Sequence, residues 1–244
     1  MFEQFLELGI GTEGQRLLDL GTGTGVMARQ FARQGALVSG VDVSPEQIAM
    51  AGQLAAEEGL EVEFLPHPAE ALPWSGPTFD VATANQCWLY FDRERVVAEL
   101  RRVLKPGGKL VTSHFSWLPR LDAIARRSEQ LVLEFNPDWS AADWSGDVPK
   151  VPSWAEPEFE VEAMFVYDEP IAFTRESWRG RFRACRGVGA VLSESEVEAF
   201  DAAHHALLHG TAPESFTVLH RLDAHVLKPR PRSNWVSSRG MVPH

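Results

Sequence analysis

The segment LLDLGTGTGVMARQF constrains the fold more than any other part of the chain. It places Gly21, Gly23 and Gly25 within five residues, between an apolar run and a run with helical periodicity. Glycine is costly to order, so it suits positions where the backbone needs a positive φ or must approach a ligand closely. A glycine turn between a strand and a helix also presents N–H groups at the positive end of the helix. The segment therefore predicts a strand, a ligand-binding turn and a helix.

Short apolar strands alternate with amphipathic helices through the first half of the chain. This alternation predicts an α/β fold with a parallel sheet that is covered by helices on both faces. The predicted strands are 16–20, 37–42, 61–65, 79–84, 109–115, 159–173 and 216–227. Helix starts are predicted at Ser44, at Asp92 and at the capping box formed by Ser193 and Glu196, and a further helix is predicted over 174–188.

The glycine spacing distinguishes two kinds of nucleotide ligand. The G-x-G-x-x-G fingerprint of dinucleotide-binding proteins requires a glycine where this chain has Val26. Hydride-transfer cofactors are therefore disfavoured. Asp42 closes the second predicted strand about twenty residues further on, where a carboxylate can accept both hydroxyls of a ribose. The pattern predicts a ligand that contains adenosine.

Charge and cysteine content argue against several other classes of protein. The 244-residue chain has a net charge of −11 and no block of consecutive lysines or arginines, so neither nucleic acid nor a membrane surface is expected as a partner. Cys87 and Cys185 fit no disulfide or zinc pattern, and His204 and His205 lack a cluster of metal ligands. The chain lacks an apolar run of membrane-spanning length and a signal-peptide leader, so we expect a cytoplasmic protein without a metal.

Five blocks of sequence resemble, in order, the motifs of class I S-adenosylmethionine-dependent methyltransferases. The blocks are LLDLGTGTG, VDVS, HPAEALPW, FDVATANQCWLYF and LRRVLKPGGKLV, and they cover about residues 17–115. The stretch NQCWLYFD is loosely similar to the branch that methylates small carboxylic acids such as aconitate. The resemblance implies a Rossmann-like sheet of seven strands, mostly parallel, with an insertion after the fifth strand and an antiparallel last strand.

The resemblance also implies S-adenosylmethionine as the cofactor. Asp19 and the glycine loop would hold its methionine part, Asp42 would bind its ribose, and the main-chain carbonyl of Asn85 would meet its ammonium group. The full set of implied cofactor residues is Asp19, Gly21, Gly23, Gly25, Asp42, Val43, Ala69, Glu70 and Asn85.

Two features of the chain depart from the family pattern. Family members commonly have an acidic residue where this chain has Pro68, so the contact with the adenine amino group is left to Glu70 or His67. Relatives usually have a longer lid helix than the sixteen residues that precede Leu17. Either the insertion closes the site, or a lid segment is missing.

Changes in composition divide the chain. Residues 1–115 are predicted to form the cofactor-binding core, 116–158 an insertion that covers the acceptor site, 159–228 the rest of the same sheet domain, and 229–244 a tail. Five tryptophans follow the fifth strand, where they form either a satellite hydrophobic cluster or an aromatic wall beside the acceptor. They are Trp117, Trp139, Trp144, Trp154 and Trp178.

Three residues are candidates for the acceptor side of the reaction. His114, at the end of the fifth strand, is either a base that contacts the acceptor or a structural histidine. Arg179 and Arg183 belong to a stripe of arginines at helical spacing, which either pairs with acids or binds an anionic substrate. The stripe consists of Arg175, Arg179, Arg183 and Arg186. Methyl transfer from a sulfonium is a direct displacement and needs no protein nucleophile.

The predicted function is therefore methylation of a small, anionic molecule by direct displacement. Two alternatives stay open. In the first, the acceptor is a phenol, an amine or a quinone precursor, and a histidine acts as base. In the second, the chain binds S-adenosylmethionine without catalysis. The sequence leaves the oligomeric state open.

Overall fold

The computed structural model describes residues 1–231, which contain seven strands and seven α-helices. The strands are β1 (Arg16–Leu20), β2 (Leu37–Asp42), β3 (Val62–Pro66), β4 (Phe79–Asn85), β5 (Leu104–Trp117), β6 (Phe159–Thr174) and β7 (Ser215–Pro229). The α-helices are α1 (Phe2–Glu7), α2 (Val26–Arg33), α3 (Pro45–Glu57), α4 (Arg93–Val103), α5 (Ala123–Phe135), α6 (Arg175–Arg183) and α7 (Glu194–Thr211). A short 3₁₀ helix covers Trp88–Tyr90. The last part of the predicted tail, residues 232–244, lies outside the described residues.

The strands form one sheet in the order β3-β2-β1-β4-β5-β7-β6. Strand β1 pairs in parallel with β2 and β4, and β2 pairs in parallel with β3. At one end of the β6–β7 pair Arg230 N donates to Glu158 O, and at the other Arg175 N donates to Glu214 O, so β6 and β7 run antiparallel. The predicted fold class, a Rossmann-like α/β fold with seven mostly parallel strands, is confirmed.

Several element boundaries follow local signals that the sequence analysis identifies. Strands β1 and β2 begin and end at the predicted residues. Asp92 caps α4 by accepting from Arg95 N (3.3 Å), and Ser193 and Glu196 form the predicted capping box at α7. Strand β5 begins at Leu104, earlier than predicted, directly after α4.

Helix α5 lies inside the predicted insertion, where the sequence analysis assigns no helix. It begins where Asp122 Oδ1 accepts hydrogen bonds from Ile124 N and Ala125 N, both at 2.9 Å. Ala125 and Val132 are buried on the same helix, which packs against α7. Between α5 and β6 the described chain forms turns and irregular segments, as its proline and tryptophan content predicts.

Spatial contacts divide the chain into two compact units. The core unit comprises Ile10–Val111, Val151–Ala163 and the segment from Val226, and the second unit comprises Met1–Gly9, Thr112–Lys150 and Met164–His225. These limits do not coincide with the predicted divisions at 115, 158 and 228, and the covering role of residues 116–158 stays a prediction. Within residues 1–231, no helix is long and apolar enough to cross a membrane.

A buried hydrogen-bond network joins three helices of the second unit. Trp178 Nε1 donates to Ser128 Oγ (3.0 Å), and Ser128 Oγ lies 2.9 Å from His204 Nε2. His204 is fully buried, whereas His205 beside it is exposed. Burial lowers the pKa of His204 from 6.5 to about 4, because desolvation disfavours the charged imidazolium.

The burial of His204 predicts a loss of stability in mild acid. Below pH 6.5 the unfolded chain protonates this histidine, but the folded chain does not until the pH approaches 4, so the free energy of unfolding falls across that window. Between pH 7 and pH 5 the loss from this residue should be about 2 kcal/mol. We expect His204→Gln to lose less stability than the wild type over this range, as measured by urea unfolding. Parallel losses in the two proteins would exclude His204 as the cause.

Candidate functional site

The loop between β1 and α2 has a left-handed backbone at all three predicted glycines. The φ angles are +58° at Gly21, +54° at Gly23 and +75° at Gly25, where side chains are strained. Thr22 N donates to Val41 O and Gly25 N donates to Thr22 O, both at 2.9 Å. These bonds hold the turn against β2 and lead into α2.

Packing as well as backbone conformation requires glycine in this region. A Cβ on Gly21 would lie 2.9 Å from Cys87 Cβ, and one on Gly25 would lie 2.7 Å from Phe64 Cζ. Gly23 is different, since the nearest atom to its Cβ position is 3.8 Å away, so it is constrained by its φ angle. Gly40 of β2, which the sequence analysis does not identify, is constrained by packing too, since a Cβ there would lie 2.9 Å from Phe64 Cδ1.

Asp42, at the end of β2, is bound to the glycine loop. Its Oδ2 accepts from Gly23 N (2.9 Å), and its Oδ1 accepts from Ser44 N (3.0 Å). Each carboxylate oxygen has a second lone pair, so Asp42 can also accept hydroxyl groups of a ribose. Val43, the next predicted cofactor residue, is 71% exposed despite its apolar side chain. The end of β2 thus offers two acceptor atoms beside an accessible apolar group.

Asp19 is buried in β1 and held by two threonines that the sequence analysis does not identify. Its Oδ1 accepts from Thr83 Oγ1 (2.6 Å) and its Oδ2 from Thr22 Oγ1 (2.7 Å). Burial raises the pKa of Asp19 to about 6, while the two hydroxyl donors act in the opposite direction and the charge of Asp42 adds to the rise. A cationic group bound beside Asp19 would favour its ionised form. Its predicted role with the methionine ammonium fits this chemistry.

The segment after β4 packs against the glycine loop. Strand β4 ends at Asn85, and Gln86 has a φ of +62°, which is uncommon for a residue with a side chain. Cys87 Sγ donates to Leu20 O at 3.1 Å. Burial raises the pKa of the Cys87 thiol, with the charges of Asp19 and Asp42 as further causes, which disfavours its thiolate form. Sequence reasoning missed Gln86 and Cys87 as site residues.

The predicted adenine residues lie in a turn before β4. Ala71 N donates to Pro68 O at 3.2 Å, and Ala69 within this turn is 3% exposed. Glu70 Oε1 accepts from Asp92 N at 3.0 Å, which ties the turn to the start of α4. The core unit therefore contains all nine predicted cofactor residues, and one hydrogen bond, from Gly23 N, joins Asp42 directly to the loop.

The predicted catalytic residues belong to the second unit. His114 Nδ1 lies 3.0 Å from Asp223 Oδ2, and the two side chains are 34% and 4% exposed. A carboxylate oxygen can only accept, so the neutral imidazole that pairs with it has its proton on Nδ1 and its lone pair on Nε2. This histidine is therefore oriented by a buried carboxylate, which the sequence analysis does not identify.

Arg179 and Arg183 are bound to acidic side chains of the same unit. Asp201 on α7 accepts from both guanidinium groups, at 2.7 Å for Arg183, and Glu176 also pairs with both. Burial acts to raise the pKa of Asp201, but the bonds and charges of the two arginines outweigh it and leave that pKa below its ordinary value. Helix α6 ends at Arg183, so Arg186 at the end of the predicted stripe lies beyond it.

Of the five tryptophans, Trp154 belongs to the core unit and the other four, including Trp144, belong to the second unit. Trp117 and Trp178 pack together in the second unit with ring centroids 5.5 Å apart, and Trp139 belongs to the same cluster. Trp154 instead packs on Trp88 in the core unit at 4.6 Å. Within residues 1–231, no three histidine, cysteine or carboxylate side chains are arranged to hold a metal ion.

Comparisons with known proteins identify the domain that carries the glycine loop. Residues 18–112 match the family model for a methyltransferase domain. A demethylmenaquinone methyltransferase of Thermus thermophilus is 40% identical over 135 residues, covering 53% of this chain and 61% of that protein. A ubiquinone biosynthesis O-methyltransferase of Cereibacter sphaeroides is 33% identical over 145 residues, covering 59% and 58%. The chain thus spans about three fifths of the length of each of these relatives.

Solved structures share the fold over nearly the whole chain. The YcgJ protein of Bacillus subtilis has a TM-score of 0.54 at 21% identity, covering 92% of this chain and 96% of that one. The PH0226 protein of Pyrococcus horikoshii has a TM-score of 0.51 at 19% identity, covering 94% and 88%. These likenesses support the fold, and the family match supports the kind of domain. The chain therefore contains a class I S-adenosylmethionine-dependent methyltransferase domain, matched over residues 18–112.

Proposed function

We propose that this protein transfers the methyl group of S-adenosylmethionine to a hydroxyl group of a small molecule. The observation that carries the cofactor assignment is the left-handed glycine loop bound to Asp42 through Gly23 N. When bound, S-adenosylmethionine supplies an electrophilic methyl carbon on a sulfonium. The chain has to hold this cofactor, orient the acceptor and remove the acceptor's proton.

The residues of the core unit suit the parts of this cofactor. Asp42 offers carboxylate oxygens for the ribose hydroxyls, and Asp19 is an acid close to the loop for the methionine end. Exposed apolar groups at Val43, Leu89 and Tyr90 follow the ends of β2 and β4, where ligands of open α/β sheets bind. Apolar side chains there also help to exclude water from the reacting methyl group.

A hydroxyl acceptor requires a base, and His114 is the candidate. With Nδ1–H donated to Asp223, Nε2 can accept the proton of the acceptor hydroxyl, and the buried carboxylate stabilises the imidazolium that forms. The relatives named above are a demethylmenaquinone methyltransferase and a ubiquinone biosynthesis O-methyltransferase. Both names support a quinone or its precursor as the acceptor class of this chain, and the second, an O-methyltransferase, supports a hydroxyl acceptor.

The anionic acceptor expected from the arginine stripe is a second candidate. It depends on Arg179 and Arg183, which have the planar donors that bind a carboxylate or phosphate in bidentate fashion. Asp201 and Glu176 already occupy these donors, so an anionic acceptor would have to compete with two carboxylates. We therefore place the hydroxyl acceptor first. A cofactor-binding module without catalysis is the third candidate, distinguished by cofactor binding without methyl transfer.

Replacement of Asp42 tests the cofactor site. We expect Asp42→Ala to weaken the binding of S-adenosylmethionine by about tenfold or more, because the substitution removes the acceptors of the ribose hydroxyls and the partner of Gly23 N. Isothermal titration calorimetry measures the Kd. Glu46→Ala is the matched control, since it removes an equal charge from an exposed side chain that binds Ser44 Oγ. Equal affinity in wild type and Asp42→Ala would remove the basis of the proposal.

Replacement of His114 tests the base. We expect His114→Gln to lower kcat by about 100-fold or more at unchanged cofactor Kd, with a smaller loss in Asp223→Asn. The assay is methyl transfer to a panel of phenols, amines and carboxylic acids. The loss should shrink for the most acidic phenols, because they are already ionised. A variant that methylates all phenols at the wild-type rate would exclude His114 as the base.

The two arginines distinguish the first and second candidates. We expect Arg179→Gln and Arg183→Gln to leave the acceptor KM within about twofold and to lower the free energy of unfolding by about 1–3 kcal/mol, because each leaves Asp201 short of a partner. Steady-state kinetics and urea unfolding give the two quantities. A rise of about tenfold or more in KM, confined to anionic acceptors, would support the second candidate instead.

A further inference from the structure

We infer that Arg29 positions the glycine loop for cofactor binding. The residue lies on α2, one turn after Gly25, and it is 9% exposed. Its backbone N donates to Gly25 O at 2.9 Å, and its side-chain Nη1 donates to Thr24 O. One residue thus binds two successive carbonyl groups of the loop. The inference rests on the proposed function, because it concerns affinity for S-adenosylmethionine.

The peptide that Arg29 holds is one that could otherwise rotate at low cost. Thr24 lies between Gly23 and Gly25, and glycine tolerates a wide range of φ and ψ. Rotation of the Thr24–Gly25 peptide would turn the Thr24 carbonyl and the Gly25 N–H together. It would break the charged hydrogen bond from Arg29 and the bond from Gly25 N to Thr22 O. Arg29 therefore favours a single loop conformation.

The guanidinium of Arg29 is itself fixed from the other side. Its Nε lies 3.2 Å from both carboxylate oxygens of Glu58, the residue that caps the C-terminus of α3. A buried cation is costly unless it is paired and hydrogen-bonded, and here both conditions are met. Glu58 thus makes Arg29 a rigid link between the end of α3 and the loop.

Arg33 provides a matched control on the same helix. It lies one turn further along α2, is 44% exposed in its side chain, and pairs with Glu58 Oε2 at 2.5 Å. Its other hydrogen bond goes to Gln30 at 2.9 Å and not to the loop. Arg29 and Arg33 therefore share the same carboxylate, but the side chain of Arg29 donates to Thr24 O, whereas that of Arg33 donates to Glu58 and Gln30.

The experiment compares Arg29→Met with Arg33→Met. Titration with S-adenosylhomocysteine gives the Kd, and hydrogen exchange of peptides covering residues 22–26 gives the protection of the loop. We expect Arg29→Met to weaken binding by about tenfold or more and to speed exchange in these peptides, because a charged hydrogen bond to the loop is lost. Arg33→Met should stay within about twofold in affinity and exchange like the wild type.

Two further variants keep the test decisive if Arg29→Met folds poorly. Arg29→Lys should recover part of the affinity, since an ammonium can donate to Thr24 O but lacks the separate Nε–H with which Arg29 binds Glu58. Glu58→Gln should weaken binding less than Arg29→Met, because it leaves the bond to Thr24 O in place. In methyl-transfer assays KM for S-adenosylmethionine should rise with the Kd, while kcat at saturation stays within about threefold.

The outcomes separate this inference from the proposed function. If the wild type does not bind S-adenosylhomocysteine, the proposed function is wrong and the inference is wrong with it. If the wild type binds and Arg29→Met binds equally well, only the positioning role is wrong. Equal weakening by Arg29→Met and Arg33→Met would also overturn it, because the effect would then come from the shared partner Glu58.

Discussion

The structure of the candidate site depends on one hydrogen bond, from Gly23 N to the carboxylate of Asp42. It joins the turn after β1 to the end of β2, the neighbouring parallel strand. The turn can adopt the conformation in which this bond forms because its glycines have positive φ angles, which other residues rarely adopt. The same carboxylate keeps lone pairs available for a ligand. Loop conformation and ligand recognition are therefore linked through a single side chain.

Signals that act between neighbours in sequence predict most of this architecture. Strands β1 and β2 follow short apolar runs, and helix caps at Ser44, Asp92 and Ser193 each accept from a backbone N–H three residues on. Such bonds involve residues that are close in the chain, so they can be recognised before the fold is known. The same holds for the glycine loop, whose conformational demand is a property of the residue type.

Interactions between distant residues are what the sequence could not predict. The partner of His114 is Asp223, 109 positions away, and the partner of Arg179 is Asp201, 22 positions away on another helix. An arginine stripe has the same spacing whether its charges face solvent, acids or a substrate, and only the packing of α6 on α7 selects among them. Helix α5 is not predicted for a different reason. The proline- and tryptophan-rich composition around it is typical of irregular structure, although Asp122 caps the helix.

The third glycine explains why the loop spacing differs from that of dinucleotide-binding folds. In those folds the last glycine of G-x-G-x-x-G permits close packing of helix and strand. Here Gly25 does this one residue earlier, where a Cβ would meet Phe64 of β3 at 2.7 Å and Ala51 of α3 at 3.2 Å. The next residue, Val26, is then free to point outward and is 60% exposed. The first position of α2 can thus carry an apolar side chain in place of a glycine, because the demand for close packing is met one residue earlier, at Gly25.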